Sequence, residues 1–203
     1  MLDDWQINPD SLRNIKLSNR EKQTILGTLL GTSSIIHPKK SKSPHLLMRG
    51  NKNSNVDWLR CKAEELRKLS RPKSFIEDDT GYRWNSFSNN LFFDFKNLFY
   101  EKGIKEIKLE ALDSLNDLGL CTWFLDKGIY KENLCGFKFS NITKKSISNI
   151  IEYFFVIGFP IISKKNNELL FKNKEVSENF IKLISHCIPL ALKISSQKKI
   201  IDS

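Results

Sequence analysis

The 203-residue chain holds only four cysteines, Cys61, Cys121, Cys135 and Cys187, and no two of them are close in sequence. The lack of a CxxC pair removes the spacing of a zinc site, and the lack of dense spacing removes a disulfide framework. Four ordinary small apolar residues in a reducing compartment are expected, either cytoplasm or organelle matrix. A long apolar run is missing too. The longest, Tyr153 to Ile162, is broken by Gly158 and Pro160 and is too short to span a bilayer, so no membrane partner is expected. Met1-Leu2-Asp3-Asp4-Trp5 is acidic and polar, unlike a secretory or transit peptide.

Positive charge, by contrast, is abundant. The formal net charge is +10, and the basic residues run from Lys16 to Lys199 instead of forming one tail. With 40% apolar residues the chain can bury a core, so this charge is expected on a folded surface. A polyanion is the natural partner of such a surface. A coding bias towards Lys, Asn, Ile and Ser would also supply part of the charge, so composition alone leaves the partner open.

Ser18-Asn19-Arg20-Glu21 has the spacing of a capping box and predicts a helix start. The segment that follows, through Gly31, is apolar on more than one side, as expected of a helix buried against another helix. Short strands are expected over 33–36 and 45–49, a helix over 56–69, a strand over 82–87 and a helix over 91–100. The second half repeats this order. It shows an apolar helix over 118–127, a strand over 134–139 and a helix over 143–157 with Ile147, Ile150, Ile151 and Phe154 on one face. A hairpin pairing 159–163 with 169–172 follows, then a helix over 176–192 that kinks at Pro189. This internal repeat predicts an α+β fold of two units.

Two stretches tie the chain to a family: Gly27-Thr28-Leu29-Leu30-Gly31-Thr32-Ser33-Ser34 and Leu120-Cys121-Thr122-Trp123-Phe124-Leu125-Asp126-Lys127-Gly128. They resemble the two motif helices of single-chain LAGLIDADG homing endonucleases. Asn97-Leu98-Phe99-Tyr100 through Gly103-Ile104-Lys105-Glu106-Ile107 is similar to the family's linker, and Ile188-Pro189 to its closing segment. The resemblance covers about residues 18–195. It implies two pseudo-symmetric αββαββα repeats, each with an antiparallel sheet facing DNA, packed through the motif helices, with Gly27, Gly31 and Gly128 allowing close approach. The division expected is a leader over 1–17, repeats over 18–107 and 108–195, and a polar tail over 196–203, in a monomer with internal twofold symmetry. Lys39, Lys40, Lys42, Arg49, Lys52, Arg83, Lys138, Lys164, Lys165 and Lys172 are the residues expected to meet nucleic acid.

The same resemblance exposes departures. In the family an aspartate ends each motif helix, and the two carboxylates hold divalent metals that activate water. Here the positions are Thr32 and Lys127. Asp126 is one residue from the second position, about 100° around a helix, so it is expected to face away from the axis. The basic residue that the family tends to carry before the third helix is absent from Phe87-Ser88-Asn89-Asn90, and Lys193 is offset by about one residue from the other active-site lysine. Asp78 and Asp79 are expected in a turn. These departures point to a nucleic-acid-binding protein without cleavage chemistry and without a cofactor, for example a maturase-like helper of intron splicing. Two other functions stay open: a divergent magnesium-dependent DNA endonuclease using Asp126, and a structural subunit of a ribonucleoprotein particle. The partner is DNA or structured RNA.

Overall fold

The computed structural model describes residues 15–39, 41–51, 56–164, 167–189 and 192. Ser18 accepts from the Glu21 amide while Glu21 accepts from the Ser18 amide at 2.7 Å, and this reciprocal cap starts α1 (Asn19–Leu30). The chain continues through β1 (Ser34–Ile36), β2 (His45–Asn51), α2 (Val56–Glu65), β3 (Ser70–Asp78), β4 (Gly81–Ser86) and α3 (Leu91–Phe99). A small hairpin, β5 (Tyr100–Glu101) and β6 (Ile104–Lys105), and the short α4 (Leu109–Asp113) link the halves. The second half runs α5 (Asp117–Lys127), β7 (Gly128–Lys131), β8 (Leu134–Lys138), α6 (Lys144–Val156), β9 (Ile161–Lys164), β10 (Glu168–Phe171) and α7 (Lys174–Ile184). Helix, two strands, helix, two strands, helix therefore occurs twice. The sheets have matching antiparallel orders, β1-β2-β4-β3 and β7-β8-β10-β9.

Several elements depart from expectation, among them α2, which ends at Glu65 short of the expected 69. β3 carries Pro72 and pairs with β4 through a register shift between Ser70 and Phe75; a proline is tolerated at such an irregularity, but it hides the strand from periodicity. β7 follows α5 without a break, and its four residues lie outside the strands expected from the sequence. The last helix stops at Ile184 and turns through a 3-10 segment, Ser185–Cys187, instead of kinking at Pro189. Ser185 Oγ donates to the Lys182 carbonyl, and the residue before Pro189 is held extended (Ile188, φ −69°, ψ 122°). Asp79 lies in a turn as expected, and Asp78, which ends β3, accepts from the Thr80 amide at 2.9 Å.

One core joins both repeats. α1 contributes Ile25, Leu26, Leu29 and Leu30, and the second repeat adds a ring cluster of Trp123, Phe137, Phe154, Phe171 and Phe180. Each sheet lays one face on this core: Leu46, Met48 and Trp84 from the first, Cys135, Phe137, Leu169 and Phe171 from the second. Since side chains alternate along a strand, the opposite faces carry His45, Leu47, Arg49, Arg83 and Asn85 in one sheet and Ile129, Lys131, Lys138, Glu168 and Leu170 in the other. Among the described residues no helix is long and apolar enough to cross a membrane.

Candidate functional site

α1 and α5 lie side by side and run in the same direction. Near their starts, Gln23 bonds the Ser114 carbonyl at 2.8 Å and the Asn116 amide at 2.9 Å, and Asn116 caps α5. Further along, Gly27 faces the Gly119 carbonyl and Thr122 so closely that a methyl group would overlap both. At the far end Gly31 faces Asp126 in the same manner. Gly128 is different: a methyl there would strike Phe124 of its own helix, and Gly119 occupies the interhelical position instead. Both C-terminal ends, with Thr32 and Lys127, thus arrive at one end of the helix pair.

The orientation of Asp126 corrects the sequence expectation. Gly119, Thr122 and Asp126 are spaced by three and four residues, and this row forms the contact face of α5. Asp126 therefore points at the helix pair, and Lys127 is the residue turned about 100° off it. The Asp126 side chain is 2% exposed and paired with Lys62 of α2, also 2% exposed, at 2.6 Å. Trp58 Nε1 donates to it at 2.7 Å, Thr28 Oγ1 at 3.1 Å, Thr32 Oγ1 at 3.2 Å and the Thr32 amide at 3.3 Å. A carboxylate has about four acceptor positions, so this one is saturated. Neither Lys62 nor Trp58 carries a motif, and no pattern in the sequence marks them.

Divalent metal does not fit these groups. Thr32 is a neutral hydroxyl engaged with Asp126, Lys127 is a cation, and the one carboxylate at the helix ends is consumed by five donors. Among the described residues, no three His, Cys, Asp or Glu side chains gather into a metal-binding group. The cavity beside the helix ends, about 360 Å³, is lined instead by Thr32, Ser33, Arg49, Lys105, Lys127 and Asn141, among others. Lys105, from β6, donates to the Ser33 carbonyl at 2.8 Å. Burial and the neighbouring Lys127 charge together push its pKa down to about 8, with Asp126 opposing them. Position 90, before α3, is uncharged: Asn90 accepts from Ser43 Oγ, and Asn89 caps the helix through the Leu91 amide.

The outer sheet faces hold part of the expected nucleic-acid set. Arg49 and Arg83 sit directly opposite each other across β2 and β4, next to the pair Leu47 and Asn85. Like charges so placed disfavour the sheet by about 0.2–1 kcal/mol, a cost that a polyanion would remove. Asp78 offsets part of it through a 3.4 Å pair with Arg83. In the second sheet Glu168 accepts from Lys131 at 2.7 Å and Lys138 at 3.1 Å, and these two lysines hold its carboxyl below the usual range. Lys39 and Lys42 are exposed in the β1–β2 loop, and Lys172 is exposed after β10. Lys164 ends β9 opposite Glu168. Lys40, Lys52, Lys165 and Lys193 lie outside the described residues. Asn85, Lys131 and Glu168 were missed by sequence reading, although alternation along β4, β7 and β10 would have placed them on these faces.

Comparison with solved structures gives the same architecture. The homing endonuclease I-WcaI bound to its DNA recognition sequence superposes with a TM-score of 0.74 at 18% identity, over 93% of this chain and 94% of that one. A variant of I-DmoI in complex with its target DNA in the presence of manganese matches with a TM-score of 0.54 at 13% identity, over 82% and 93%. No curated protein matches in sequence. The sequence model of the LAGLIDADG DNA endonuclease family matches residues 22–185, and with both motif helices paired and both sheets in place, the chain belongs to that family.

Proposed function

We propose that this protein binds double-stranded DNA across its two sheets without metal-dependent cleavage. The observation that carries the reading is the state of the helix ends: Thr32 and Lys127 stand at the metal positions, and Asp126 is locked by Lys62, Trp58, Thr28 and Thr32. Supporting it, Arg83 and Asn85 share one sheet face, and arginine and asparagine are side chains that form paired hydrogen bonds to guanine and adenine edges. Lysines around the sheets supply sequence-independent phosphate contacts. Both structural neighbours named above are bound to DNA, which favours DNA over structured RNA.

The test uses the full chain. Fluorescence anisotropy with labelled duplex and with structured RNA, over a range of salt, is expected to show tighter, strongly salt-dependent duplex binding. Incubation with a randomised target library and magnesium is expected to leave it intact. Magnesium-dependent cuts with short overhangs would establish an active endonuclease and overturn the proposal. Preference for RNA, or one abundant RNA retained through high-salt purification, would move the function to a splicing helper or a ribonucleoprotein subunit.

A further inference from the structure

The cavity at the motif-helix ends has a lining opposite in charge to a metal site. Arg49 from β2, Lys105 from β6 and Lys127 from α5 border it, and among the described residues no Asp or Glu lines it. We infer that this cavity holds one backbone phosphate of the bound nucleic acid, with the Lys105 and Lys127 ammonium groups and Arg49 in place of divalent metal. The inference rests on the reading above and adds to it a use for the altered position.

Three arguments support it. Asp126 is paired with Lys62 at 2.6 Å and is not among the described residues that line the cavity. The two helix C-termini contribute roughly half a negative charge each, which is less than the three cations supply. Lys105 uses one of its three donors on the Ser33 carbonyl, which leaves two for phosphate oxygens. The other acid near Lys105 in sequence, Glu106, is occupied by Lys145 of α6 at 2.7 Å. Ser140, Asn141 and Ser146 complete a neutral polar wall.

Two measurements on the full chain test it. Inorganic phosphate, compared with chloride at matched ionic strength, is expected to raise the melting temperature of the wild type. Lys127→Met is expected to need roughly tenfold more phosphate for the same shift, as loss of a charge-assisted contact implies, while Lys127→Arg retains the response. Identical responses of wild type and Lys127→Met would overturn the inference; Lys105→Gln provides the same comparison if Lys127→Met does not fold. With labelled duplex, the slope of log affinity against log salt is expected to fall by about one for Lys127→Met and to stay unchanged for the exposed Lys144→Met. An unchanged slope for Lys127→Met would confine the site to free phosphate and overturn the assignment to the backbone. Wild-type duplex binding without nicking is read separately, so failure of the phosphate site leaves the proposed function standing, and nicking would remove the proposed function first.

Discussion

Asp126 and Lys62 are held as an ion pair between two repeats that are far apart in sequence. Removing one partner of such a pair leaves a charge in a site that cannot hydrate it, so Lys62→Met is expected to lower stability by about 3–5 kcal/mol in urea titration. Combining it with Asp126→Leu should recover much of that loss, since the isolated charge is then gone; a double variant as unstable as the single would show that Trp58 and the two threonines depend on the carboxylate. Lys105 provides a pH signature. Its folded pKa of about 8 is below the ordinary 10.5, so the unfolded chain binds more protons between those values. Stability of the wild type relative to Lys105→Met should therefore rise from about pH 8 to 10.5 and be flat below, measured by denaturant midpoints across that range. At this scale the sequence identified Thr32 and Lys127 by their place in the motifs. It could not identify Lys62 or Trp58, because a partner brought from another helix leaves no spacing to read.

Among elements, the motif-helix pair depends on closeness more than on apolar area. Gly27 is opposed by the Gly119 carbonyl and Thr122, backbone and branched groups that cannot swing aside. Gly27→Ala should cost about 1–3 kcal/mol through separation of the helices, read as a lowered urea midpoint, and a neutral result would mean that α1 and α5 slide freely. Ser18→Ala, which removes the reciprocal cap, should cost about 1 kcal/mol in the same assay. The start of α1 was legible because its cap is a local hydrogen bond between residues three apart. β3 was not, since Pro72 breaks its alternation and pairing to β4 supplies what the local sequence lacks. The end of α7 was misread for a similar reason: Pro189 marks where a helix must stop, whereas Ser185 stops it earlier.

For the whole molecule, a charge of +10 spread over a twofold-repeated fold sets the expectation of nucleic-acid binding, and the helix ends set what happens after binding. Replacing both positions, Thr32→Asp with Lys127→Asp, restores two carboxylates but leaves Lys105 and Arg49 in the cavity and Asp126 tied to Lys62. Nicking of a target library with magnesium is therefore expected to stay absent; its return would mean that the two lost carboxylates were the entire change. The sequence by itself determined the family resemblance, the main helices and the replacement of the motif aspartates by Thr32 and Lys127, because these are written in periodicity, a cap and motif positions along one chain. Only the tertiary structure decided that Asp126 faces the helix pair and that Lys105, Arg49 and Lys127 border one cavity. The direction of a side chain at a helix interface depends on which row of residues the partner helix selects, and the glycines at positions 27, 31 and 119 select the row that contains Asp126.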